Sequence, residues 1–160
     1  FDSALVGPDE ATAAAEYKKV PPGMYFNAVA FFVVYHAVAI VCMRRIRTMT
    51  LGFGTTARRI AWGMIVFVNA LFFAWAETRL YITQAATGNV WYVDLGAMLM
   101  WGSIFYSLYF IVSFPNVFRM DEELSEVRWS LSRTCLEASA AGAISLLLID
   151  LWTGFLGPII

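Results

Sequence analysis

Charge is scarce in this sequence: of 160 residues only 14% are Asp, Glu, Lys or Arg, against about a quarter in an average soluble domain. That scarcity excludes water as the main solvent. Cysteine is almost absent as well. Cys42 and Cys135 sit in or beside apolar segments, without the spacing of a zinc site or a secreted disulfide framework. Both are expected to be inert, and no metal centre is expected. The sequence also lacks internal repeats and low-complexity stretches. Its net charge of −1 carries no information about partners until it is divided by membrane side.

What the chain has in abundance is apolar surface, at 60% of residues. A bilayer core needs about 20 apolar residues of helix, because nothing there satisfies free backbone groups. Four stretches meet the requirement. Met24 to Met43 is free of charge and ends at Arg44, Arg45 and Arg47. Ile60 to Ala76 follows Arg58 and Arg59 and extends through Leu80 by snorkelling ends. Leu95 to Phe118 runs from Asp94 to Arg119, and a kink is expected at Pro115. Leu131 to Trp152 carries Glu137 in its first turns and Asp150 in its last. The expected fold is all-α, a polytopic antiparallel bundle of four transmembrane helices over 24–160.

A polar tail is expected over 1–23, where Pro21, Pro22 and Gly23 stop any helix before the membrane. The chain begins with Phe1, so either a presequence has been removed or the chain is a fragment. Removal of a targeting segment points to an organelle, and Phe at a processed terminus points to a plastid.

Basic residues set the orientation. The connection 44–59 holds Arg44, Arg45, Arg47, Arg58 and Arg59 without an acid, and Arg119, Arg128 and Arg133 lie on the same side. Only Lys18, Lys19 and Arg79 fall opposite, so both termini are expected outside and the arginine-bearing connections inside. Trp91, Tyr92, Trp101, Trp129 and Trp152 are placed as an aromatic belt at the helix ends. The arginine cluster reads most simply as a topology signal and also suits anionic lipid headgroups. In the fourth helix, the run Ala138 to Ala143 around Gly142 is expected to be a helix contact, with a neighbour in the chain or with another subunit.

The block Tyr109 to Pro115, followed by Phe118-Arg119-Met120-Asp121-Glu122, Leu131-Ser132-Arg133, Asp150-Leu151-Trp152 and Phe155-Leu156-Gly157-Pro158-Ile159, resembles the cycloeucalenol cycloisomerase family. Tyr35-His36, Arg44-Arg45 with Arg47, and Glu77-Thr78 fit in order as well. The resemblance runs from about residue 24 to the end and is to the C-terminal half of the family, whose members look nearly twice as long. It implies an enzyme that opens the cyclopropane ring of a sterol, and it assigns no catalytic residue.

Such a reaction needs an acid to protonate a ring carbon and a base to take a proton from a neighbouring carbon. Glu77 and Asp150, with Asp94 at the same depth and Arg79 as a counter-charge, are the candidate carboxyl groups. The simpler reading is headgroup-level charge. His36, the single histidine, is a hydrogen-bonded core residue, an acid or base, or an axial ligand to the metal of chlorophyll or another tetrapyrrole. Asn69 and the Tyr106, Ser107, Tyr109 and Ser113 set of the third helix are expected to be packing residues that share no single stripe.

Two functions remain. The first is an accessory subunit of a photosynthetic or respiratory membrane complex, which uses a truncated isomerase-like fold for packing and for lipid or pigment contact. Its membrane would be the plastid thylakoid, or next the mitochondrial inner membrane. The alternative is a surviving sterol isomerase, placed in the endoplasmic reticulum. The expected partners are other membrane subunits, lipids, and a sterol or pigment, with no nucleic acid.

Overall fold

An apolar chain in hydrocarbon must close its own backbone hydrogen bonds, and a helix does so within one segment. The computed structural model describes residues 22–80, 94–122 and 129–156, and all four long elements among them are helices. They are α1, Pro22–Met49; α2, Thr55–Leu80; α3, Leu95–Glu122; and α4, Leu131–Leu156. Each is long and apolar enough to cross a bilayer, so the chain is an integral membrane protein with four candidate spans. Most of the expected 1–23 tail, together with Trp91, Tyr92 and Arg128, lies outside the described residues.

The helices run past the apolar stretches that announce them. Arg44, Arg45 and Arg47 belong to the last turns of α1, and Arg58 and Arg59 to the first turns of α2. Arginine is a good helix former, so loss of apolar character does not end the helix. The connection shrinks to residues 50–54. There the Thr50 hydroxyl donates to Ile46 O at 2.8 Å, and its N–H donates to the same carbonyl at 3.0 Å.

Asp94 starts α3 as an N-cap: its Oδ1 accepts from Ala97 N at 2.9 Å. A π-helical turn then spans Met98–Gly102. Gly102 lies against the end of the Met98 side chain, with Cε and Sδ 2.9 Å from where a Cβ would stand. Beyond this turn the helix continues through Pro115 to Glu122.

Side-chain pairs give the helix directions. Phe32 meets Tyr109, His36 meets Ser113 and Arg44 meets Glu122, so α1 and α3 run in step. Trp62 meets Phe118 while Glu77 meets Tyr106, which makes α2 antiparallel to α3. Asn116 meets Glu137 and Phe105 meets Trp152, which makes α4 antiparallel to it too. The result is an up-down arrangement with α3 at its centre.

Lipid is as apolar as leucine, so the helices are held by close packing and cross-helix polar contacts rather than by hydrophobic burial. Ala39 of α1 and Ala70 and Ala74 of α2 are fully buried and let backbones approach. Aromatic rings fill the remaining space: Tyr35 lies 4.7 Å from Phe73 in a stack, and Phe110 stacks on Phe114 at 5.1 Å. α4 touches α3 but neither α1 nor α2 among the described residues. Of the two contacts expected at Gly142, the one with a neighbour in the chain is not found among the described residues, where a Cβ at that glycine would meet nothing within 4 Å. The small-residue run of α4 is mostly exposed, and the buried alanines of α1 and α2 do the close packing instead.

Candidate functional site

Buried polar groups in these helices mostly satisfy themselves locally. Asn69 Nδ2 donates to Ile65 O at 2.7 Å, Thr78 Oγ1 to Ala74 O at 3.2 Å, and Ser107 Oγ to Ile104 O at 2.6 Å. Each of these back-bonds ties a side-chain donor to its own helix. Among the side-chain contacts that cross between helices, those of His36 and Glu77 involve the candidate acids and bases.

The first is at His36. A carbonyl only accepts, so the 2.7 Å contact to Phe32 O places the proton on Nδ1. Nε2 then carries the lone pair and accepts from Ser113 Oγ at 3.1 Å. The Phe114 ring stands edge-on at 5.0 Å. Both ring nitrogens are engaged by the protein. An axial ligand needs the Nε2 lone pair, which in this arrangement takes the Ser113 hydroxyl. The hydrogen-bonded core histidine is the reading that the geometry matches.

The second is at Glu77, near the other end of α2. Its half-buried carboxyl takes a hydrogen bond from the Tyr106 hydroxyl of α3. The second oxygen, Oε2, is buried and has no hydrogen-bond partner among the described residues. One turn earlier on α2, Phe73 supports Tyr35, whose ring also meets the edge of Phe110. Glu77 therefore borders the aromatic core formed by α1, α2 and α3.

The candidate acids and bases are not brought to one point. Tyr106 and Ser113 are seven residues apart, about 10 Å along α3, so Glu77 and His36 sit on separate levels. Asp150 is exposed on α4, the helix that meets only α3. Asp94 is occupied as a helix cap, and Arg79 is exposed. Of the arginines, Arg44 pairs with Glu122 and ties α1 to α3, while Arg119 stands 3.6 Å from Glu137 and ties α3 to α4. Trp129 lies under the Arg133 guanidinium at 4.2 Å, with that of Arg119 at 5.7 Å.

Tyr106 and Ser113 are the residues that inspection of the sequence passes over. The set of four shares no single stripe, but these two of its members do: a spacing of seven is two helical turns, and Phe110 between them, fully buried, marks that face as inward. The seven-residue spacing of two hydroxyl side chains around a phenylalanine was the available signal.

A comparison with curated proteins finds cycloeucalenol cycloisomerase of Arabidopsis thaliana, 35% identical over 141 residues. This chain is a homologue of cycloeucalenol cycloisomerase. The match takes in 88% of the chain and 49% of the relative, so the chain spans about half the length of the curated relative it matches. The resemblance carried by the Tyr109 to Pro115 block is thus borne out. No family model matches the chain, and no solved structure matches it.

Proposed function

We propose that this chain carries the proton-transfer site of a cyclopropyl sterol isomerase, with Glu77 as the reacting acid and Tyr106 as the group that orients it. The observation that carries this reading is the cross-helix Glu77–Tyr106 contact, with its buried, unpartnered Oε2, in a homologue of cycloeucalenol cycloisomerase. A carboxyl group kept at membrane level is costly and is a functional candidate by default.

The chemistry balances without any cofactor. Glu77, as the acid, gives its proton to a carbon of the strained ring, and one carbon–carbon bond of the cyclopropane breaks. A neighbouring carbon is left as a cation, which the aromatic surroundings shield from water. Loss of a proton from the adjacent carbon forms the double bond. The carboxylate left by the first step takes that proton, so the product is an isomer and the site is restored. The Tyr106 hydroxyl holds the carboxylate in place meanwhile. His36, with both nitrogens bonded, positions α1 against α3, and Asp150 stands apart from the reaction. An enzyme of this kind belongs in the endoplasmic reticulum.

Membranes holding the chain are supplied with a cyclopropyl sterol, and substrate and product, equal in mass, are then separated by gas chromatography and told apart by retention time and fragmentation. Conversion by the wild-type chain, lost in Glu77→Gln, is the expected result. No conversion by the wild-type chain overturns the reading. The accessory-subunit reading then stands, supported by the open outer face of α4 around Gly142. Nothing in the comparisons points to a photosynthetic or respiratory host.

A further inference from the structure

A cavity of about 430 Å³ lies at the opposite end of the helices from Glu77, lined by Arg47, Thr50, Thr55, Arg58, Arg59, Trp62, Phe118 and Arg119. It draws on three elements, the end of α1, the start of α2 and the end of α3. Four arginine side chains therefore line one cavity from positions as far apart as 47 and 119. No carboxylate lines it. Among the described residues, Arg47, Arg58 and Arg59 have no ion-pair partner, and Arg119 has one acid at its edge, Glu137 at 3.6 Å.

Cations gathered this way repel one another unless an anion joins them. The backbone adds to the pull. α2 begins after Gly54, which has no side chain to cap the helix, and its first turn contains no acid. Arg58 N is the first amide to find a helical carbonyl, that of Gly54, at 3.0 Å. The amides of residues 55–57 precede it at the positive end of the helix dipole, beside the cavity wall at Thr55. The floor is apolar, with the Trp62 and Phe118 rings edge to face at 6.1 Å.

We propose that this cavity binds an anionic phosphomonoester headgroup, with Arg47, Arg58, Arg59 and the amide end of α2 on the phosphate. The apolar floor takes the first part of an attached chain. Guanidinium groups pair with phosphate oxygens two at a time, which suits the free oxygens and net negative charge of a phosphomonoester better than the zwitterionic phosphodiester of a choline headgroup. The same geometry divides the arginine cluster. Arg44 is committed to Glu122 and Arg45 does not line the cavity, so only part of the basic cluster makes the site. This inference is independent of the proposed chemistry at Glu77.

The full chain is placed in nanodiscs of phosphatidylcholine with increasing phosphatidic acid, and its thermal unfolding is followed. In a separate arm inorganic phosphate is titrated into phosphatidylcholine nanodiscs. The expected result is a saturable stabilisation by phosphatidic acid. Each basic residue near an anionic headgroup accounts for about fivefold in affinity, so Arg58→Gln with Arg59→Gln weakens the effect roughly thirtyfold, and Arg45→Gln leaves it unchanged. Circular dichroism confirms that each variant keeps its helices. Stabilisation by inorganic phosphate alone, lost in the same double variant, supports the site and makes its ligand a soluble phosphate. Equal response to both lipids, or equal loss in Arg45→Gln and the double variant, overturns the proposal.

Discussion

Nε2 of His36 accepts a hydrogen bond from the Ser113 hydroxyl at 3.1 Å, and this bond joins α1 to α3 across 77 residues of sequence. Cross-helix bonds of this sort in membranes are worth about 0.6 kcal/mol on average and at most about 1.7. A double-mutant cycle with His36→Ala and Ser113→Ala, read by unfolding in bicelles, should give a coupling energy within that range. His36→Ala alone should cost more than Ser113→Ala, because it also empties space beside Phe114. A coupling energy of zero would mean the bond is not formed.

Gly142 and Ala70 make an internal comparison. Nothing lies within 4 Å of a Cβ at Gly142, whereas Ala70 is fully buried between helices. Gly142→Leu should change the stability of the isolated chain by no more than about 0.5 kcal/mol, and Ala70→Leu should cost about 1 to 3 kcal/mol by overpacking. Differential unfolding of the two variants decides it. A large loss in Gly142→Leu would show that the open face of α4 is covered by a partner in the membrane.

Much of this fold is legible in the sequence, because lipid imposes a simple length-and-polarity code on a helix. The four apolar stretches map onto α1 to α4, and Asp94 stands where α3 starts, whereas Pro22 and Gly23, read as stopping a helix, lie in the first turn of α1. The arginine-rich segments mislead at the level of boundaries. Hydropathy falls at Arg44 and at Arg58, yet the backbone stays helical, since the code reports lipid contact and not hydrogen bonding. The arrangement of helices around α3 is not legible either. In water an exposed apolar face marks a packing site, but in a membrane it faces lipid, so the leucines of α4 do not show that it meets α3 alone. The site is half legible: Glu77 and His36 stand out as polar residues in apolar helices, while Tyr106 and Ser113 hide in an aromatic-rich run. Their partners come from other helices, and such pairing depends on rotation about each helix axis, which apolar composition leaves undetermined.

Orientation follows from the arginines. A single cysteine is placed at position 52, where Gly52 has open space around it, in a chain whose Cys42 and Cys135 are replaced by alanine. In cell membranes the thiol should react only with a reagent supplied to the cytoplasmic side, since basic connections stay there. A tag on the N-terminal tail should be reached only from the opposite side. Labelling of both from one side would show that α1 does not cross, and labelling of position 52 from outside with the tag reached from inside would reverse the topology.

The Glu77–Tyr106 contact makes the sharpest test of function, because two substitutions can separate chemistry from packing. Glu77→Gln keeps the shape of the side chain and removes its proton, and loss of a general acid costs about 10² to 10⁴ in rate. Tyr106→Phe keeps the ring among Phe110 and its neighbours and removes only the hydrogen bond to the carboxyl. It should therefore lower turnover of a cyclopropyl sterol less, by about tenfold for a lost hydrogen bond to a charged group, through kcat rather than KM. His36→Gln retains a group able to accept from Ser113, and it should lower stability more than rate because His36 stands about two helical turns from the reacting carboxyl. Sterol conversion and thermal unfolding are measured on the same membrane preparations. If His36→Gln abolishes conversion in a stably folded chain while Glu77→Gln leaves it intact, the roles are reversed and the proton comes from the level of Ser113.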